Sequence, residues 1–356
     1  MTDIHELDSV STLTDRQIAS TLTRRFQQLI ILPTEKCNFR CTYCYEDFKI
    51  GQMSSEIQSS LEMLMSRRIP ELDEMSINWF GGEPLAAKSV VLRLSAHANR
   101  LCDDHGVRLA GGLTTNAYRL HFDIFEELVS YKQNFFQITL DGFGEVHDAV
   151  RKLANGKGSF QKIWDNLAQT KRSDKQFRIL IRIHVRRENI DSLELLMAEL
   201  GKTFGGDPRY ELDFEHLRNL GGEGGLTVTS PVSLSEMPAI EARLRQVFRN
   251  HSRSGANAGI SQTLPSMSQL AEKQNVAGLS EPYICYAAKA NSLLIRADGR
   301  IGKCTVALDD DRNTIGRVNT DGTIAIDSQR LMPWVRGISS GSVQELQCPL
   351  VGLPQY

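Results

Sequence analysis

Two textures alternate along the first 217 residues of the chain. Short apolar runs read as buried strands: FQQLIIL (26–32), MSINWFGG (75–82), VRLAGGLTTNA (107–117), FFQITLDG (135–142), FRILIRIHV (177–185) and RYELDFEHL (209–217). Helical spacing fills the intervals, as in SSEIQSSLEMLMSRR (54–68), with Ser54 placed as its N-cap, and NIDSLELLMAEL (189–200). Strand alternating with helix predicts a parallel sheet with helices outside it. Six such units are too few for a closed eight-stranded barrel. After residue 218 the texture changes. NLGGEGGLTVTSPVS is glycine-rich and reads as a connection, EMPAIEARLRQVFRNH as an amphipathic helix, and the polar stretch 252–280 as a lid or substrate-facing loop. ADGRIGK, further on, reads as a hairpin turn.

Directly after the first strand comes EKCNFRCTYCYED, with Cys37, Cys41 and Cys44 inside eight positions of a chain holding seven cysteines. The spacing would suit one face of a helix. Pro33, the preceding strand, the modest helix formers between the thiols and the lack of further apolar residues favour a strand-to-loop junction instead. A disulfide framework fits poorly, because the count is odd and no secretory signal precedes it. A structural zinc site wants four ligands, and the nearest histidines, His5 and His97, do not pair with the trio locally. Three thiolates on a short loop can hold three irons of a cubane cluster and leave the fourth iron open to a small molecule. Strand C-terminal ends are where parallel α/β folds place their chemistry.

The composition allows this chemistry and removes others. With 356 residues, 41% of them hydrophobic, the chain can bury a large core, and its net charge of −2 offers no electrostatic case for nucleic acid. No apolar run has the length of a membrane span, so a cytoplasmic, reduced protein is expected.

Cys37-x3-Cys41-x2-Cys44, with Tyr43 before the last cysteine, resembles the signature of the radical S-adenosylmethionine (SAM) enzymes. The resemblance implies an α/β fold, a partial (β/α)6 TIM barrel, with a [4Fe–4S] cluster on the three cysteines and SAM on its open iron. Gly81-Gly82-Glu83-Pro84 matches that family's GGEP element, whose backbone and carboxylate receive the methionine amino group. LTTNA (113–117) and ITLDG (138–142) are by themselves polar loops. The resemblance places Asn116 among the cofactor contacts and gives Thr139 a contact to the ribose. DGFGEVHDAVR resembles the family's DG…HD..R stretch, so that Arg151 would pair with the SAM carboxylate, a surface salt bridge being the alternative. Leu217 would pack on adenine or in the core.

Of the remaining thiols, Cys102 reads as a small core hydrophobe. Cys285, Gly299 and Cys304, followed by Cys348, resemble the opening of the SPASM domain, which carries auxiliary iron–sulfur clusters in radical enzymes that modify peptides. Here the pattern is truncated, twitch-like, with three cysteines. The resemblance implies one auxiliary [4Fe–4S] cluster on Cys285, Cys304 and Cys348, against the alternative of hairpin-core thiols. The domain expectation is an N-terminal extension (1–25), the barrel (26–220), a connection (221–280) and the small auxiliary-cluster domain (281–356).

What the resemblance implies for function is modification of a ribosomally made precursor peptide, with side-chain crosslinking of the cyclophane type as the leading reaction. Backbone splicing, thioether formation, epimerisation, a radical dehydrogenase acting on a small molecule, and an iron–sulfur electron carrier without SAM are the alternatives. Sulfatase-maturing relatives carry an aspartate after the cysteine matched by Cys304. Thr305 stands there, which disfavours that reaction. Expected partners are the peptide and a reductant such as flavodoxin or ferredoxin; since 25 residues before the first strand are too few for a winged helix, leader recognition is expected from a separate leader-recognition protein or from the loops after residue 218. Neither nucleic acid nor membrane is expected. No residue is assigned a catalytic role beyond these contacts.

Overall fold

A computed structural model describes residues 14–228, 231–252 and 283–354. Its centre is a ten-stranded sheet. Six parallel strands run in sequence order across it: β1 (Phe26–Ile31), then, after the short β2 (Phe39–Cys41), β3 (Glu74–Trp79), β4 (Arg108–Thr115), β5 (Gln133–Leu140), and, after the short β6 (Arg151–Leu153), β7 (Arg178–Val185) and β8 (Tyr210–His216). These are the six strands expected from the pattern, and the open six-stranded partial barrel follows from their order. Helices Ser55–Arg68 and Ile190–Phe204 stand where the apolar periodicity placed them. Ser54 caps the first, its Oγ accepting from the Ile57 amide. Cys102 is buried in helix Lys88–His105 as a core residue.

Alternation along the strands sorts the two faces. Met75, Ile77 and Trp79 of β3, and Phe136, Ile138 and Leu140 of β5, point into the main core, where the helices cover them. The opposite face changes character across the sheet. Near β1 it is apolar, with Ile30, Leu32, Leu294 and Leu308 packed together. Towards β5 and β7 it carries Gln137, Thr139, Arg182 and His184.

The C-terminal segment joins this sheet. β9 (Ser292–Ile295) pairs parallel with β1, register Gln28 to Ser292, and β10 (Arg300–Gly302), β11 (Gly316–Val318) and β12 (Ile324–Ile326) extend it as an antiparallel meander. The ADGRIGK turn links β9 to β10, with Gly299 at φ +84°. Helix Met237–His251 matches the predicted amphipathic segment. The stretch read as a lid lies, past Ser252, outside the described residues. Among the described residues, no helix is long and apolar enough to cross a membrane.

Candidate active site

The cysteine loop leaves β1 and is gripped from three sides. The GGEP turn after β3 takes the first side. A Cβ on Gly81 would lie 2.5 Å from the Thr34 carbonyl, and one on Gly82 would lie 2.6 Å from that of Lys36. Only glycine permits this backbone contact, which the Glu83 amide completes by donating to Lys36 O. On the second side β2 pairs antiparallel with β6, setting Cys41 opposite Arg151. On the third side lies the 221–225 glycine run, which sequence reading took for a mere connection. A Cβ on Gly222 would meet Tyr45 O at 2.5 Å, and one on Gly224 would meet Cys44 O at 2.3 Å. Four glycines within five residues are a signal of close backbone approach as well as of a linker.

Cys37, Cys41 and Cys44 are all half-buried. Burial pushes each thiol up, the Cys44 thiol to about 12, and Cys37 also feels the other two thiols. Iron bound to them would invert that preference, since a coordinating thiol is deprotonated. Among the described residues, no three His, Cys, Asp or Glu side chains converge enough to hold one metal ion. Two buried donors, Asn38 Nδ2 on the loop and Arg151 Nε opposite it, have no protein partner. Three thiols with unsatisfied donors at their side fit an iron–sulfur cluster with an anionic ligand.

Glu83, Asn116, Thr139 and Leu217 sit at or past the C-terminal ends of β3, β4, β5 and β8, while Arg151 opens β6. Glu83 is fully buried. Its carboxylate accepts from Leu85 N (2.9 Å), Thr115 Oγ1 (2.7 Å) and Asn116 N (2.7 Å), which leaves one acceptor position of about four. Burial raises its pKa against the pull of these bonds. Asn116 Nδ2 donates to Asn38 Oδ1 and lies 3.9 Å from Cys37 Sγ, tying the β4 end to the loop. Thr139 is buried on the polar face of β5.

Arg151 is no surface residue. It is 8% exposed, and Nη1 donates to the Tyr43 hydroxyl at 2.7 Å. That hydroxyl donates in turn to Asp141 Oδ2. His184 Nδ1 stands 3.2 Å from the hydroxyl and 3.1 Å from Asp141 Oδ1. Burial alone would raise the Asp141 carboxyl, but His184, Arg151 and His147 hold it well below the usual carboxylate range. Asp148, of the same sequence stretch, accepts from the amides of Ser159 and Phe160, fixing the turn that delivers Arg151. Sequence reasoning missed Asp141 and His184 as a pair. They lie 43 positions apart, and each ends its own strand run.

Thr42 and Tyr43, Arg186 and Glu188 after β7, Leu217 after β8, and Thr227, Val228 and Pro231 line a cavity of about 170 Å³. Tyr43 and Leu217 thus share a cavity at the rim of the sheet.

The second thiol set gathers beside the first. Cys285 and Cys304 are half-buried and Cys348 is exposed. Burial raises the first two, Cys285 to about 11, and each also feels Cys348. The Cys285 amide donates to Leu346 O, which sets it against the helix leading to Cys348, and Asn313 grips the Cys304 amide and carbonyl. Residues adjacent to three cysteines meet between the two sets. Tyr45 OH donates to Thr305 O (3.3 Å), and Tyr286 OH lies 2.8 Å from Thr305 Oγ1.

Residues 31–200 match the family model of the Radical SAM superfamily. Over 168 residues the chain is 29% identical to a cysteine-type anaerobic sulfatase-maturating enzyme of Clostridium novyi (strain NT), covering 44% of this chain and 43% of that protein. Over 111 residues it is 31% identical to a GTP 3′,8-cyclase of Pectobacterium atrosepticum, covering 30% and 32%. The match thus spans less than half the length of these curated relatives. Among solved structures, SuiB of Streptococcus suis bound to its precursor peptide SuiA superposes with a TM-score of 0.61 at 15% identity, covering 95% of this chain and 74% of that one. The enzyme anSMEcpe, with bound AdoMet and a peptide, gives 0.58 at 19% identity, covering 86% and 80%. At these identities the likeness to both structures is one of fold.

Proposed function

Residues 31–200 of this chain are a radical SAM domain, and we propose that the enzyme modifies a ribosomally made precursor peptide by joining two of its side chains. The family's [4Fe–4S] cluster and SAM, when bound, supply a 5′-deoxyadenosyl radical that takes hydrogen from a substrate. In this reading Cys37, Cys41 and Cys44 hold the cluster. The one open acceptor position of Glu83 takes the cofactor's amine, and the unpartnered Nε of Arg151 its carboxylate. Thr139 and Asn116 bind near the ribose, while Tyr43 and Leu217 flank the base. Burial of Glu83, Arg151 and Asp141 keeps water from the reacting region.

The observation that carries the peptide-crosslinking reading is the second thiol trio, held beside the first by the Tyr45–Thr305–Tyr286 contacts. Crosslinking removes two electrons from the substrate, and an auxiliary cluster on Cys285, Cys304 and Cys348 would take the one left after bond formation. The peptides bound to SuiB and to anSMEcpe support a peptide substrate on this fold. Thr305 argues against sulfatase maturation: Tyr286 engages its hydroxyl, and no carboxylate occupies the position. A flavodoxin or ferredoxin would supply the starting electron, and a separate protein would recognise the leader.

Replacing Cys285, Cys304 and Cys348 by Ala tests the reading. Iron should fall from about eight to about four per chain. Cleavage of SAM to 5′-deoxyadenosine should persist, while the loss of two hydrogens from a candidate precursor peptide, read by mass spectrometry, should stop. About four irons in the wild type, or unchanged product from the variant, would overturn it.

A further inference from the structure

The short ribbon of β2 and β6 has two faces of opposite character. Side chains alternate along its strands. Phe39 and Cys41 of β2, with Arg151 of β6, turn towards the site, while Arg40 and Lys152 are exposed on the outer face. The register sets Arg40 directly opposite Lys152. Like charges so placed, with Cβ atoms about 5 Å apart, repel each other and cost stability. Nothing nearby in the chain answers them. Residues 36–42 and 149–158 hold five lysines and arginines and no aspartate or glutamate, in a chain with 43 acidic residues and 41 basic ones. Among the described residues, no carboxylate forms an ion pair with Lys36, Arg40, Lys152 or Lys157, all of them exposed. Lys157 is drawn to the ribbon where its carbonyl accepts from the Leu153 amide at 2.9 Å. Arg40 is held in place without being neutralised. Its Nη1 donates to Cys37 O at 2.9 Å and to Phe39 O at 2.6 Å, and its guanidinium lies 4.6 Å from the centre of the Phe48 ring.

The ribbon is one backbone layer thick, and Cys41 hangs from its inner side. A protein seated on the outer face has only that layer between it and the Cys41 thiol, and electrons tunnel well only across short gaps. The substrate has to reach the inner side, so the outer face is not its place. We propose that the outer face of the β2–β6 ribbon, with Lys36 and Lys157 beside it, is the docking surface for an acidic one-electron carrier protein, whose carboxylates pair with these cations. One electron leaves the carrier and one enters the cluster; no bond is made or broken. This assignment rests on the reading that Cys37, Cys41 and Cys44 hold a cluster reduced from outside.

The probe is a flavodoxin of net negative charge, used with the cluster-loaded enzyme. The double variant Lys152→Glu/Lys157→Glu reverses two charges and leaves the backbone bonds of the ribbon in place. Its affinity for flavodoxin in isothermal titration should fall about tenfold at low salt, and the stopped-flow rate at which reduced flavodoxin bleaches the cluster absorbance should fall with it. Wild-type binding should weaken as salt rises, and binding by the variant much less so. Reduction by dithionite should still go to completion, and the urea midpoint should not drop, since one new carboxylate faces Arg40. Unchanged flavodoxin affinity and rate in the variant overturn the assignment. So does a wild-type cluster that dithionite reduces and flavodoxin does not. A lowered urea midpoint with incomplete dithionite reduction would make the lysines structural, and an equal loss of affinity for the precursor peptide would give the face to the substrate; either result also overturns it. A wild-type enzyme that neither reagent reduces overturns the underlying reading instead.

Discussion

The two thiol sets of this protein are built by opposite means. Cys37, Cys41 and Cys44 lie on one loop, and the protein's effort goes into gripping that loop: glycine backbones at 81–82 and 222–224 press on it, and β6 pairs with it. Cys285, Cys304 and Cys348 are scattered over 64 positions and meet only because β9 docks on β1 and Leu346 bonds back to Cys285. A local set needs close packing around it, whereas a dispersed set needs long-range pairing to exist at all. The two are joined by a buried ion pair, Arg296 to Glu35, at 2.6 and 2.9 Å, between the turn after β9 and the root of the cysteine loop.

The largest effect should come from cutting the local set. With Cys37, Cys41 and Cys44 all changed to Ala, 5′-deoxyadenosine formation should vanish and about four irons should be lost, leaving the dispersed set loaded. Loss of all iron would show that the second set depends on the first, and the contrast between them would fail.

Next comes the joint. Arg296→Met leaves Glu35 buried without its partner and should cost about 3–5 kcal/mol in urea unfolding. Adding Glu35→Gln should recover much of that, because the double variant has no stranded charge. Equal losses in the single and double variants would show that the pair does not couple the regions.

A pH test addresses the local set alone. His147 is fully buried, its Nδ1 accepts from the Asp141 amide, and Nε2 has no partner. Burial and then Arg151 push its pKa down to about 4. The unfolded chain takes up a proton below about pH 6.5 that the folded chain refuses until about pH 4. Stability is therefore full above pH 6.5 and falls by about 3 kcal/mol as the pH drops through that window. His147→Gln should flatten this slope, as followed by urea midpoints at pH 4.5 and 7. An unchanged slope would assign it to other groups.

The smallest effect belongs to Tyr45→Phe. It removes one long hydrogen bond to the Thr305 carbonyl and should cost about 1 kcal/mol or less, with iron content unchanged. A loss of several kcal/mol would make the tyrosine contact, and not the Arg296–Glu35 pair, the main joint.

Much of this architecture was legible in the chain. β1, β3, β4, β5, β7 and β8 announce themselves as apolar runs because one face of each packs into the helix-covered core. The three thiols and GGEP could be read because their chemistry needs fixed residue types at short spacing, and local spacing is what a sequence displays directly. Tertiary structure alone decided the rest. No periodicity told that Ser292 would pair beside Gln28, that Tyr43 would sit among Asp141, His184 and Arg151, or that the 221–225 glycines would lie against the cysteine loop instead of spanning solvent. Each of these depends on groups 40 to 264 positions apart meeting in one place, and such meetings are set by the packing of the whole sheet and not by neighbours in the chain.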